Sequence, residues 1–369
     1  MLRELSGTDW FLVLVAFTLA IGMGWLGGAR RRARREGLRP APAPPAAVFA
    51  ASASASPALE TLGRYRIERE IGRGSMGVVY LGREPASGAR VALKTMALSR
   101  EFDAAELGDA RACFFGEAES ARRLHHPDIV AVLEAGESHG LAFIAMEFIE
   151  GHDLQRHALV ENLLPVSTVL RMLARAAAAL AYAHRQGVVH RDIKPANVMV
   201  DVATGTVKIT DFGIAHITDA SRTRTGLVLG TPCYMSPEQM AGDRVDGRAD
   251  LYSLGVVLFQ LLTGTLPHRA TSMGQLMRQI AHEPAPDVRS RRADLPEPLA
   301  ALVARALEKR PDARYPDGDA FAADLARAAD RHEASAARPG REIDNASIPA
   351  ETDPPSGFGR ADPRHNARH

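Results

Sequence analysis

The chain has 369 residues, with 45 Lys and Arg against 44 Asp and Glu and a formal net charge of +1. Near-neutrality excludes nucleic-acid binding through a global basic field. Two cysteines, Cys113 and Cys233, exclude both a disulfide scaffold and a multi-cysteine zinc site. Only Lys94, Lys194, Lys208 and Lys309 are lysines among the basic residues, so a lysine here marks a position where an ammonium rather than a guanidinium is wanted.

After a short N-terminus (1–9), Trp10 to Ala29 carries no charge. At the helical rise that run covers about 30 Å, the hydrocarbon thickness of a bilayer. Arg30, Arg31, Arg32, Arg34 and Arg35 follow at once, whereas Arg3 ahead is offset by Glu4 and Asp9. The positive-inside bias predicts one transmembrane helix over 10–29, in the inner (plasma) membrane, with everything after it cytoplasmic. A cleaved signal peptide, the alternative, wants its charge before a shorter apolar core. Residues 30–64 are basic and then rich in Pro, Ala and Ser, which predicts a flexible linker. Residues 331–369 are polar without apolar periodicity and are expected to be a disordered tail.

Between them lies a folded block, 65–330. Tyr65, Ile67, Arg69 and Ile71 alternate with polar partners, and Val78 to Leu81 and Val91 to Leu93 are short apolar runs, which predicts an antiparallel sheet. Val169 to Tyr182, Leu251 to Leu262 and Leu299 to Leu307 have helical spacing.

Four clusters carry chemistry. Gly72, Gly74 and Gly77 stand in GRGSMGVV, where missing Cβ atoms let backbone amides approach phosphate oxygens. Val78 and Val79 continue a strand rather than open a helix, which predicts a hairpin folded over a nucleotide; a plain glycine turn is the alternative. Lys94 ends the strand VALK and needs an orienting carboxylate, offered by Glu117 in the helical FFGEAESARRL or by Glu119 on another face. In VHRDIKPANVM, Asp192, Lys194 and Asn197 supply a base, a cation for phosphate charge and a neutral oxygen ligand for magnesium. Asp211, in DFG after the alternating Val207 to Thr210, supplies a second metal-binding carboxylate.

Together these motifs resemble those of the eukaryotic-type (Hanks-type) protein kinases, specifically the bacterial Ser/Thr kinases with HRDIKPAN and DFGIA signatures. The resemblance covers Tyr65 to about Asp330. It implies an α+β, two-lobed protein-kinase fold preceded by the single transmembrane helix: a β-sheet-rich N-lobe with one key helix over 65–148 and a larger, mainly helical C-lobe over 149–330. It implies ATP-dependent phosphorylation of Ser/Thr hydroxyls on proteins in membrane-associated signalling, with ATP and Mg2+ (or Mn2+) as cofactors and no nucleic-acid partner.

Residue by residue, the resemblance gives Gly72, Gly74 and Gly77 to the phosphates and Ile71, Val79, Ala92 and Met199 to the adenine. Met146 resembles the gatekeeper, with Glu147 to Ile149 as the hinge. Lys94 is implied to hold phosphates and pair with Glu117, Asp192 to orient the substrate hydroxyl, Lys194 to meet the γ-phosphate, and Asn197 and Asp211 to hold magnesium. Thr231 matches the threonine that favours Ser/Thr over Tyr substrates, Arg314 the arginine paired with Glu238, and Asp250 the brace of the catalytic loop. Thr223 and Thr225, in SRTRTGLVLGT, are the expected sites of trans-autophosphorylation by a second copy of the chain, with Arg191 placed to receive the phosphate; alternatively they only keep a loop polar. A catalytically weak pseudokinase scaffold and a small-molecule kinase are the competing function classes. The two cysteines and 13 histidines form no ligand-like cluster in sequence, and no metal is expected on them.

Overall fold

A computed structural model describes residues 59–74, 77–212 and 232–336. The expected membrane span, most of the linker, Thr223, Thr225, Thr231 and the tail from 337 onward lie outside the described residues.

Strands β1 (Thr61–Leu62), β2 (Tyr65–Gly74), β3 (Gly77–Arg83) and β4 (Arg90–Met96) are followed by helices α1 (Leu98–Glu101) and α2 (Leu107–Arg122) and the hairpin β5 (Val132–Ser138) and β6 (Leu141–Glu147). They form one antiparallel six-stranded sheet in the order β1-β2-β3-β4-β6-β5. Alternation along each strand divides the apolar residues between two faces. Tyr65, Val91, Leu93, Phe143 and Ala145 pack on one face with Leu62. Ala92, Met96, Ile144 and Met146 pack on the other against Phe114 and Ala118 of α2. Leu62 is fully buried, so folded structure begins inside the stretch expected to be linker: an apolar side chain there has a sheet face to cover.

The second part holds the small sheet β7 (His152–Asp153), β8 (Val198–Asp201) and β9 (Thr206–Ile209), ordered β7-β8-β9. Its helices are α3 (Val166–Arg185), α4 (Pro237–Ala241), α5 (Gly247–Thr263), α6 (Met273–His282), α7 (Glu297–Ala306) and α8 (Gly318–Ala336). Helix α5 is buried from Ala249 through Phe259, as expected of a helix apolar on every side. The Asp246 carboxylate caps its first turn, and Gly264 at φ 71° ends it. Helix α3 is long and apolar enough to cross a membrane by composition, but its apolar side chains lie in the common core. Helix α8 continues past the expected tail boundary because Arg171 of α3 donates to Asp330 (3.0 Å) and to Glu333 (2.6 and 3.0 Å).

The two parts are tied where α2 leads into β5. Val130 N donates to Ile209 O and Ile209 N to Asp128 O, both at 2.9 Å, while Asp128 pairs with Arg175 of α3. His125 N donates to Tyr182 Oη at 3.0 Å.

Candidate active site

The sheet register assembles one wall of the site. Gly72 pairs with Val79, Val79 with Lys94, and Ala92 with Met146, so the strand residues expected around a nucleotide occupy neighbouring rungs. Gly77 lies at φ 136°, and a Cβ there would sit 1.7 Å from Thr95 O, so the hairpin backbone requires glycine. At Gly74 nothing lies within 4 Å of the missing side chain. Met146 is buried, Ile149 and Met199 are half-buried, and Ile71 is exposed at the rim. Behind Met146 a cavity of about 10 Å³ is lined by Val132, Ile144 and Phe212.

The opposite wall is the loop from His190 to Asn197. A 3-10 turn over Pro195–Asn197 swings Asn197 back, and its Nδ2 donates to Asp192 O at 2.8 Å and Asp192 Oδ2 at 3.0 Å. Lys194 Nζ donates to the same Oδ2 at 2.7 Å. Because the Asn197 amide nitrogen is occupied, its carbonyl oxygen is the atom left for a cation.

The loop is held from beneath by Asp250, which is fully buried in the first turn of α5. Its Oδ1 accepts from Arg191 N at 2.7 Å; its Oδ2 accepts from His190 N and interacts with His184 Nε2, both at 2.8 Å. Burial pushes the Asp250 carboxyl up, but His184 and His190 outweigh it and hold it below the usual carboxylate range. His190 Nε2 donates to Thr210 O at 2.8 Å, and its ring lies 4.6 Å from that of Phe212. These contacts hold Arg191 at φ 66° and Asp211 at φ 64°, left-handed conformations that cost non-glycine residues about 1–3 kcal/mol each.

Lys94 crosses between the walls, with Nζ 2.9 Å from Asp211 Oδ1. Burial raises the Asp211 pKa, and the Lys94 ammonium, by its charge and its hydrogen bond and helped by His190 and Lys194, more than reverses that, so it is lowered. Glu117 is half-buried on α2, and its charge adds to the burial that pushes the Cys113 thiol up. Glu119, the rival carboxylate, is exposed and bound to Arg122 of its own helix at 2.8 and 3.0 Å. Arg191 has a buried Nε with no hydrogen-bond partner among the described residues.

Sequence reasoning gave Lys208 no role, yet its Nζ reaches Glu147 Oε1 at 2.5 Å, and the same oxygen accepts from Ala131 N at 2.8 Å. The end of β6 is thus bound to β9, three residues before Asp211. His184 and Gln239 were also missed; Gln239 Nε2 donates to Arg191 O at 2.8 Å. Lysine scarcity was the one signal in the sequence that singled out Lys208. His184 and Gln239 had none, since their partners are remote along the chain.

Among known proteins, the family model described as "Protein kinase domain" matches residues 65–324. Serine/threonine-protein kinase PknJ of Mycobacterium tuberculosis is 43% identical over 267 residues, 70% of this chain and 44% of that protein. Serine/threonine-protein kinase PrkC of Bacillus subtilis is 35% identical over 269 residues, 73% of this chain and 41% of that protein. The crystal structure of the Mycobacterium tuberculosis PknI kinase domain superposes with a TM-score of 0.59 at 32% identity, covering 73% of this chain and 97% of that one. The chain spans less than half the length of these two full-length relatives.

Proposed function

The chain belongs to the protein kinase family, and on that premise we propose that it is an active serine/threonine kinase that transfers the γ-phosphoryl group of ATP to protein hydroxyls. The observation that carries the proposal is the joining of Asp192, Lys194, Asn197, Lys94 and Asp211 into one charged constellation between the lobes. A pseudokinase scaffold has no need to keep all five. The names of the relatives, all serine/threonine-protein kinases, support the same reading.

The residues fit ATP and a divalent cation. Asp211 carboxylate and Asn197 amide oxygens are the hard donors that Mg2+ takes. Gly72 and Gly74 leave space for phosphates beside the strand backbone, and Lys94 supplies an ammonium for the α- and β-phosphates. Bound there, Mg2+ supplies neutralisation of the phosphate charge. Ile71, Val79, Ala92 and Met199 enclose the adenine, Met146 closes the back, and the backbone of Glu147 to Ile149 offers it hydrogen bonds. Glu117 orients Lys94.

In the reaction, Asp192 orients the acceptor hydroxyl and takes its proton. The hydroxyl oxygen bonds to the γ-phosphorus as the bond to the β-phosphate oxygen breaks, while Lys194 balances charge on the transferring group. Thr231 is the residue we assign to the choice of Ser/Thr over Tyr acceptors. Phosphate on Thr223 or Thr225, added by a second copy of the chain, would meet the Arg191 guanidinium. Residues 10–29 anchor the protein in the membrane with the kinase in the cytoplasm.

The test is incubation of the full chain with labelled ATP, MgCl2 and a generic basic protein, beside Asp192→Asn. Label should appear on both proteins with wild type and on neither with the variant; absence of label with wild type rejects the proposal. Thr223→Ala/Thr225→Ala chain should be much less active, and a reporter fused after His369 should read as cytoplasmic.

A further inference from the structure

Two histidines away from the nucleotide cleft come together. His152 lies on β7, beside Val200 of β8, and His157 ends the short 3-10 turn that follows. Their Nε2 atoms are 2.9 Å apart and their rings 5.0 Å apart, both half-buried.

The hydrogen bonding of His157 decides what this pair can do. Its Nδ1 lies 2.9 Å from the Asn162 carbonyl oxygen, which only accepts, so Nδ1 carries the proton and Nε2 presents a lone pair. That is the arrangement of a metal-ligating imidazole, whose far N–H is fixed by a backbone carbonyl. In the empty pair one proton on His152 Nε2 bridges the two nitrogens. Moving that proton to His152 Nδ1 frees a second lone pair on the facing nitrogen.

We propose that His152 and His157 form a chelating site for a divalent late transition-metal cation, Cu2+, Ni2+ or Zn2+. A cation about 2.0–2.1 Å from each nitrogen, at an angle between a right angle and tetrahedral, needs about 2.9–3.3 Å between them. The observed separation meets the lower bound, and turning each ring so that its lone pair points off the N–N line brings both nitrogens onto the cation. Imidazole nitrogen selects these metals over Mg2+ and Ca2+, with Cu2+ held tightest. The surrounding charge is mixed: Asp153 and Asp201 favour a cation and Arg156 opposes it. Among the described residues no group of three His, Cys, Asp or Glu side chains forms a metal site, so water completes the coordination.

The experiment is calorimetric titration of the untagged full chain with NiCl2, CuCl2 and ZnCl2 in the presence of millimolar MgCl2. Wild type should bind a tightest equivalent unaffected by MgCl2, with Cu2+ ahead of Ni2+ and Zn2+. His157→Ala and His152→Gln should each weaken that equivalent at least tenfold, while nucleotide binding, measured in parallel, shows either variant to be folded. The proposal fails if wild type shows no saturable binding below about 1 mM, or if a folded variant binds its first equivalent as tightly as wild type.

Discussion

Asp250 and Arg314 are buried charges whose bonding capacity is spent on holding loops. Asp250 gathers the backbone of His190 and Arg191 and the ring of His184. Arg314 uses all five of its N–H groups: Nε on Glu308 O (2.7 Å), Nη1 on Glu238 Oε1 (2.7 Å) and Arg248 O (3.1 Å), and Nη2 on Glu238 Oε2 and Lys309 O (both 2.8 Å). The pair is almost fully shielded, with the Arg314 side chain 0% and Glu238 10% exposed. A bidentate pair in such a place is worth little against an apolar substitute but is costly to break from one side. Arg314→Met should therefore destabilise the chain by about 3–5 kcal/mol, because it strands the Glu238 carboxylate and three carbonyls. Adding Glu238→Gln should recover part of the loss. Equilibrium urea denaturation of the two variants measures it, and additive losses would contradict the pairing.

At the scale of elements, the β2–β3 hairpin separates two uses of glycine. Gly77 serves the fold, since its left-handed φ and its contact with Thr95 O admit no Cβ. Gly74 has open space and no such constraint, so its value rests on what approaches it. Gly74→Ala should leave the melting temperature unchanged and raise the KM for ATP several-fold, whereas Gly77→Ala should lower both stability and nucleotide binding. Thermal melts alongside ATP titration decide it; unchanged ATP binding in Gly74→Ala would remove that glycine from the phosphate site. The same division governs what the sequence disclosed. Strand alternation and the all-apolar run of α5 announced themselves, because periodicity is a local property. So did Asp192, Lys194 and Asn197, whose geometry is set within one short turn. Lys208 with Glu147 was not legible, as 61 residues separate them and only the β6 and β9 pairings bring them together. The His152 and His157 rings are close in sequence, yet their meeting depends on a strand followed by a 3-10 turn, a spacing with no helical or strand signature. Leu62 was hidden for a related reason: one apolar residue in a Pro/Ala/Ser-rich stretch has no period.

For the molecule as a whole, stability should depend on pH through the buried His268 of the α5–α6 connection and the half-buried Lys309 of the segment after α7. Lys309 Nζ lies 3.1 Å from His268 Nε2. Burial, and then Arg314, push the Lys309 ammonium down to about 8; burial, and then Lys309, push His268 down to about 4. In both cases the folded state disfavours the charged form, so between the folded and unfolded values the unfolded chain holds more protons. Unfolding free energy must then rise with pH across each window. For His268 that window runs from about 4 to 6.5, so stability falls on acidification through it. For Lys309 it runs from about 8 to 10.5; below it the penalty is present in full, and above it the penalty is gone. The thiols of Cys113 and Cys233 act in the opposite sense at alkaline pH, since burial raises them and their folded state retains protons longer. The difference between wild type and Lys309→Met removes that contribution. The variant should be more stable than wild type at pH 7, with the gap closing as pH rises from about 8 towards 10.5 and His268 becoming easier to protonate. Urea denaturation of both chains through this range provides the curves, and a gap independent of pH would show that the Lys309 ammonium is not held against its charge.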